Sequence, residues 1–385
     1  MHSFNADSIS AWTLQLMFAR CILPAAKHRP DTTQGKAVKD RLARWRKGEY
    51  LSLWKEAVEM TKNKGKSRRR GRRQEEDPPS LEEQNAKRAR RLTEMGEYTR
   101  AAQSLISTGL ADHTPATIRA MQEKHPPAQH PTNFQPSEET VQMVFTAEHV
   151  RKAIKSFRKG SAPGPDGLRP EHLKVAIKLS TPNRQDKAEE ALTRLVNKMG
   201  SGSVPAIIAP FLSGARLIAG NKKDGGIRPI AVGNILRRLT SKCFSYGMAV
   251  RAANILCPLQ MGVAVRGGLE ALIHTVRELV EQEEDLMFLQ VDLENAFNLV
   301  DRDLAFKEVE EHFPDMLQWV LTCYGQQAVL IFGNSVMASR TGFHQGDPLA
   351  SLLFSLALHP ILKIIQQRVP GLRVSGWYLD DGGLA

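Results

Sequence analysis

Cysteine is scarce in this 385-residue chain. The four present, Cys21, Cys243, Cys257 and Cys323, form no CxxC pair and have no histidines at zinc spacing. Neither a zinc site nor a disulfide framework is expected, and a reducing, intracellular compartment fits. Long hydrophobic runs are also missing: no stretch approaches the ~20 apolar residues of a membrane span. The opening MHSFNADSISAWTLQLMFARC lacks the basic start and unbroken apolar core of a secretory signal. Acidic side chains vanish from one segment. Residues 62–73, KNKGKSRRRGRR, hold eight Lys or Arg and no acid, so most of the net charge of +12 is local.

What is present, 42% hydrophobic and 24% charged residues, suffices for a sizeable core and two or three globular units. Residues 1–110 read as a helical, basic extension. Within it, residues 60–90 have too few large apolar side chains to offset the entropy of ordering and are expected to be a flexible arm. Lys66, Arg68, Arg69, Arg70, Arg72 and Arg73 are candidate nucleic-acid contacts. Together with KRARR at 87–91 they also suit a nuclear-import signal, and a solvated tether is the alternative. Residues 111–140, with Pro115, Pro126, Pro127, Pro131 and Pro136, read as an extended connector.

Beyond residue 140 the pattern sharpens. TAEHVRKAIKSFRKG puts Val150, Ile154 and Phe157 on one helical face, with Thr146 as N-cap and Gly160 as a stop. SAPGPDG is a turn cluster before a helix opening near Pro170. ARLIAGNKKDGGIRPIAVGN reads as a hairpin with Lys222, Lys223 and Arg228 near its tip, and VLIFGNSVMAS as a second hairpin bent at Gly333-Asn334. DPLASLLFSLALHPILKIIQQRV is a helix apolar on most faces, hence buried. The expected class is α+β.

Two segments end apolar strands on carboxylates: FLQVD at Asp292 and WYLDD at Asp380 and Asp381. A bare charge at the end of a buried strand is costly, so such groups are paired, hydrogen-bonded or metal-bound. Singly, each is more often a turn or cap residue. If their strands are neighbours in one sheet, the carboxylates converge into an all-oxygen site suited to Mg²⁺ or Mn²⁺. Two such ions serve in-line phosphoryl displacement, so nucleotidyl transfer is the expected reaction class.

In order and spacing, SAPGPDGLRPEHLK, IRPIAV, FLQVDLENAF, HQGDPLASLLF and YLDD resemble the upstream motif, the fingers motif and motifs A, B and C of the reverse transcriptases of non-LTR retrotransposons, over roughly 145–385. The resemblance implies right-hand polymerase fingers over 141–270 and a partial palm over 271–385. It implies two Mg²⁺ or Mn²⁺ ions held by Asp292 and Asp380, with Asp381 contributing less and the Leu293 carbonyl filling a position. Arg228, and less surely Lys222 or Lys223, would hold the incoming triphosphate. Gln345 and Gly346 would contact nucleotide and template.

Phe297 would be the steric gate that excludes a ribose 2′-hydroxyl, which disfavours an RNA-synthesising enzyme. The implied partners are an RNA template, a DNA primer and dNTPs, with no membrane. Glu294-Asn295 and Asn298 depart from the family pattern. Only GGLA follows Asp381, so the hairpin of motif C is expected to lack much of its second strand, and the thumb to be absent. An inactive nucleic-acid-binding remnant is the competing reading.

Overall fold

The computed structural model describes residues 6–24, 33–71, 79–130, 132–137, 141–178, 182–283 and 285–385. Among the described residues up to 105 there are five helices: α1 (Ala6–Ile22), α2 (Gln34–Arg46), α3 (Tyr50–Gly71), α4 (Leu81–Glu94) and α5 (Tyr98–Leu105). The arm expected over 60–90 is therefore largely helical in backbone. At its far end Ser80 and Glu83 form a reciprocal capping box, and Ala89 and Leu92 bury against Ala101; cap and burial together outweigh the charged composition. Side chains of Lys66, Arg68, Arg69 and Arg70, and all of Arg72 and Arg73, lie outside the described residues.

The proline-rich connector also holds a helix, α6 (Pro115–Glu123). Thr114 caps it, and Pro115 stands in the first turn, where a missing N–H costs nothing. Met121 anchors it, fully buried beneath a sheet. Then come α7 (Ala147–Lys155), α8 (Pro170–Lys178), α9 (Pro182–Gly200) and α10 (Ala209–Leu212). Thr146 caps α7, and Val150, Ile154 and Phe157 are buried as the helical spacing requires.

Strands β1 (Ala215–Asn221) and β2 (Ile227–Gly233) form the first hairpin, and β4 (Ala328–Phe332) and β5 (Ser335–Ser339) the second. Rather than standing apart, they make one four-stranded sheet, order β2-β1-β4-β5, because β1 pairs parallel to β4 at Ala215↔Leu330. That sheet crosses the boundary expected at 270, and one continuous core runs from Trp12 to Trp377. Its helices include α11 (Ile235–Leu256), α14 (Arg302–His312), α15 (Pro314–Tyr324) and α16 (Ala350–Arg368), with α12 (Gly268–Gln282) and the short α13 (Ala296–Leu299) between them. At 19 residues α16 is, against expectation, long and apolar enough to span a membrane. Its Leu353, Leu356 and Leu362 are instead fully buried in this core.

The PGPDG loop is pinned to the start of α11. Asp166 N–H donates to Asn234 Oδ1 (3.0 Å), and Arg20 of α1 donates to the Pro165 carbonyl (2.7 and 2.9 Å). Burial pushes the Asp166 carboxyl up to about 6, against the Leu168 N–H and the Arg20 charge. With the folded value above the unfolded one, the folded state holds the extra proton between about pH 4 and 6. Stability therefore falls as pH rises through that window. Asp166→Asn is expected to stabilise the protein by on the order of 1–3 kcal/mol above pH 6, and to be neutral below about pH 4. Urea midpoints measured across pH test this.

Candidate active site

Three short strands carry the carboxylates: β3 (Leu289–Asp292), β6 (Ser375–Tyr378) and β7 (Asp381–Leu384), in the order β3-β7-β6. The return strand expected to be incomplete is thus formed, by DGGL itself. It lies at the centre, paired antiparallel to both neighbours. Asp292 stands opposite Asp381, and Tyr378 also opposite Asp381, which leaves Leu379 and Asp380 as a two-residue turn. Leu379 occupies the left-handed region at φ +59°. The strand leading to Asp292 is not buried as its composition implies: it is a sheet edge, and Met287 is 85% exposed.

All three aspartates line one cavity of about 340 Å³. Leu293, Glu294, Asn295 and Ala296 extend the same wall. The lining also includes Lys222, Arg228 and Gln345, with Lys124 from the end of α6. Lys223, at the same hairpin tip, is not on the lining. Burial raises the Asp380 pKa, and the charges of Asp381 and Asp292 push the same way, while its own backbone N–H and Arg228 pull back. The carboxylates thus sense one another across the cavity. Among the described residues no three His, Cys, Asp or Glu side chains come close enough together to hold a metal ion.

The cations reach this cavity because the turn from Lys222 to Gly226 closes on a Lys222 N–H to Gly226 carbonyl bond (2.8 Å), and β1–β2 pairing carries Arg228 opposite Gly220. On the far side the HQGDP loop lies on β2: Ala231 N–H donates to the Gln345 carbonyl (2.8 Å). Gly346 sits at φ +118°, where a Cβ would stand 2.7 Å from the Ala231 carbonyl oxygen, so only glycine permits this approach.

Beneath the loop lies a buried ionic group. Arg237 pairs with Asp347 (2.6 Å), and it donates to His344 Nδ1 (2.9 Å) and to the Ser213 carbonyl. Donation to Nδ1 leaves the His344 proton on Nε2, and burial with the adjacent Arg237 and Arg302 charges keeps the ring neutral. Arg302, equally buried, donates to the Gly342, Thr341 and Tyr324 carbonyls and to Ser339 Oγ. Both guanidiniums lie over the Tyr324 ring, at 5.1 and 5.4 Å. This network fixes the floor on which Gln345 and Gly346 rest.

Phe297 is 9% exposed and stacks on Phe354 of α16 at 4.8 Å. Its neighbour Ala296 lines the cavity; the ring itself belongs to the core. Asn295 turns the chain at φ +52°, held by its Nδ2 donating to the Lys124 carbonyl (3.1 Å). Lys124 and Arg237 carried no sequence signal: one lies in the supposed connector and the other in an ordinary helix. Asp347 could have been noticed as an acid opening a buried helix.

The β-turn thus brings the paired aspartates and the basic end of the first hairpin into one polar cavity of an α+β chain. Residues 221–384 match the family model described as reverse transcriptase (RNA-dependent DNA polymerase), and the similar curated proteins are of transposon and retrotransposable-element origin. Over 244 residues the chain is 22% identical to the Transposon TX1 uncharacterized 149 kDa protein of Xenopus laevis, covering 61% of this chain and 18% of that protein. Over 259 residues it is 25% identical to the Retrotransposable element SLACS 132 kDa protein of Trypanosoma brucei gambiense, covering 64% and 21%. The chain thus spans about a fifth of the length of these curated relatives.

Proposed function

We propose that the chain adds deoxynucleotides to the 3′-hydroxyl of a DNA primer on an RNA template, with residues 141–270 as fingers and 271–385 as palm. One observation carries this reading: Asp292, Asp380 and Asp381 share a cavity with Lys222, Arg228 and Gln345. A triphosphate needs cations for its oxygens and carboxylates for its metal ions, and the lining of this cavity supplies both residue types.

Two carboxylates with a backbone carbonyl form an all-oxygen donor set of the kind that suits a divalent cation. Asp380 is pushed towards protonation by burial and by two like charges, and a bound cation would relieve that strain. Asp292, Asp380 and the Leu293 carbonyl would hold Mg²⁺ or Mn²⁺, with Asp381 beside them. When bound, two such ions would supply activation of the attacking hydroxyl and charge neutralisation at the leaving oxygen. The chain's own residues do the rest. Lys222 and Arg228 draw the triphosphate against the aspartate wall, and Gln345 and Gly346 present a rigid surface to the base and template. The basic segment 62–73 adds backbone phosphate contacts.

Phe297, whose ring packs on Phe354 in the core and not on the cavity lining, is proposed as the gate through its neighbour Ala296, which does line the cavity. Phe297→Ala is expected to raise ribonucleotide incorporation relative to deoxynucleotide by about tenfold or more. A competition assay with both nucleotides reads the ratio, and an unchanged ratio removes the gate assignment. Extension of a DNA primer by one complementary dNTP on an RNA template, with a DNA template in parallel, tests the proposed activity itself.

A further inference from the structure

Gln260 lies 119 residues from the aspartate turn in sequence and against it in space. Its side chain is 0% exposed. Its Oε1 accepts from the Leu379 N–H at 2.7 Å and from the Gly262 N–H at 3.0 Å, and its Nε2 donates to the Leu379 carbonyl at 3.1 Å. One carboxamide therefore binds both polar groups of a single residue. The flanking backbone is tied as well: Trp377 N–H donates to the Leu259 carbonyl (2.9 Å) and Met261 N–H to the Trp377 carbonyl (2.7 Å), so Gln260 bridges β6 as a parallel partner. Gly262 allows the approach, since a Cβ there would stand 2.8 Å from Leu379 N.

Leu379 is one of three non-glycine residues in the left-handed region among the described residues. A γ-branched side chain does not choose that conformation unaided, and it persists only where the surroundings over-determine it. Here two hydrogen bonds from one buried amide do so. The peptide they hold is the one that leads directly into Asp380.

We propose that Gln260 is a positioning residue for the aspartate turn: by clamping Leu379 it sets the direction from which Asp380 faces Asp292 and the cavity. The inference rests on the reading of Asp380 as a cation ligand, but the clamp is measurable without any cation. Gln is suited to the task because it offers an acceptor and a donor at fixed separation with no charge. A methionine of equal length offers neither, and a glutamate offers both only when protonated.

Three forms of the 385-residue chain make the test: wild type, Gln260→Met and Gln260→Glu. Amide hydrogen exchange at Leu379 is measured without metal, and Mn²⁺ affinity by electron paramagnetic resonance. Gln260→Met is expected to speed exchange at Leu379 by about a hundredfold, with the β3–β7 amides of Gln290 and Val291 unchanged, and to weaken Mn²⁺ binding about tenfold. Gln260→Glu is expected to approach wild type as pH falls from about 8 to about 6, because burial favours the protonated acid, which restores the donor.

Exchange at Leu379 within about twofold of wild type overturns the proposal. So does protection lost equally across both sheets, Mn²⁺ affinity unchanged despite faster exchange, or a Gln260→Glu chain no closer to wild type at the lower pH. If Asp380→Asn leaves Mn²⁺ binding intact, the cation reading fails instead, and the exchange data still report on the clamp.

Discussion

Asp380→Asn is expected to lower metal-dependent nucleotide addition by about a thousandfold or more, and Asp292→Asn to do the same, while neither lowers thermal stability. The two halves of this expectation have separate causes. Activity goes because each side chain lines the cavity that also holds Lys222 and Arg228, and an amide cannot neutralise a bound cation. Stability stays because the sheet is held by backbone pairing, Asp292 to Asp381 and Tyr378 to Asp381, which the amide leaves intact.

The pKa shift fixes the sign further. Burial and the neighbouring charges raise the folded-state value of Asp380, so its ionised form opposes folding, and that opposition grows as pH rises through the raised value. Removing the charge should leave the melting temperature unchanged or higher at neutral and alkaline pH. With Mg²⁺ limiting, proton and cation compete for Asp380, so the raised value makes wild-type activity fall with acidification at a higher pH than an ordinary carboxylate would dictate. Steady-state rates and melting curves across pH check both statements. A fall in melting temperature matching the loss of activity would assign these aspartates to the fold rather than to the reaction.

Asp347→Ala is expected to destabilise the protein by about 3–5 kcal/mol, because it leaves Arg237 charged, fully buried and close to a second buried guanidinium at Arg302. Pairing it with Arg237→Met should recover much of that loss, since two well-packed apolar side chains bury no charge. A double-mutant cycle by urea denaturation measures the coupling. Recovery is not expected to extend to nucleotide addition. Arg237 also holds the Ser213 carbonyl and His344 Nδ1, and without it the loop bearing Gln345 and Gly346 loses its support. If stability and activity return together, the ionic group is only a packing device.

Much of this was legible in the sequence because it is local. Thr146 and the Val150, Ile154, Phe157 spacing define α7, Gly333-Asn334 defines a hairpin bend, and an apolar run defines α16. The aspartates were legible for the same reason: a carboxylate closing an apolar strand is a conflict visible within a few residues. What escaped notice depends on distant pairing. The parallel contact of β1 with β4 joins strands more than a hundred residues apart, and no local pattern announces it. Lys124 enters the cavity only because Met121 seats α6 under the first sheet. Gln260, in CPLQMGV, looks like an ordinary polar residue until β6 is laid beside it. Composition misled where burial decided: prolines suggested an extended connector, yet Pro115 opens a helix.

The most direct measurement is single-turnover addition of one complementary dNTP to a DNA primer annealed to RNA, with the 385-residue chain in excess and Mg²⁺ or Mn²⁺ present. The cavity geometry predicts addition that requires the divalent cation, follows the template base and disappears in Asp380→Asn while primer–template binding persists. No addition by a wild-type chain that binds both primer–template and nucleotide, or equal addition by Asp380→Asn, would contradict it.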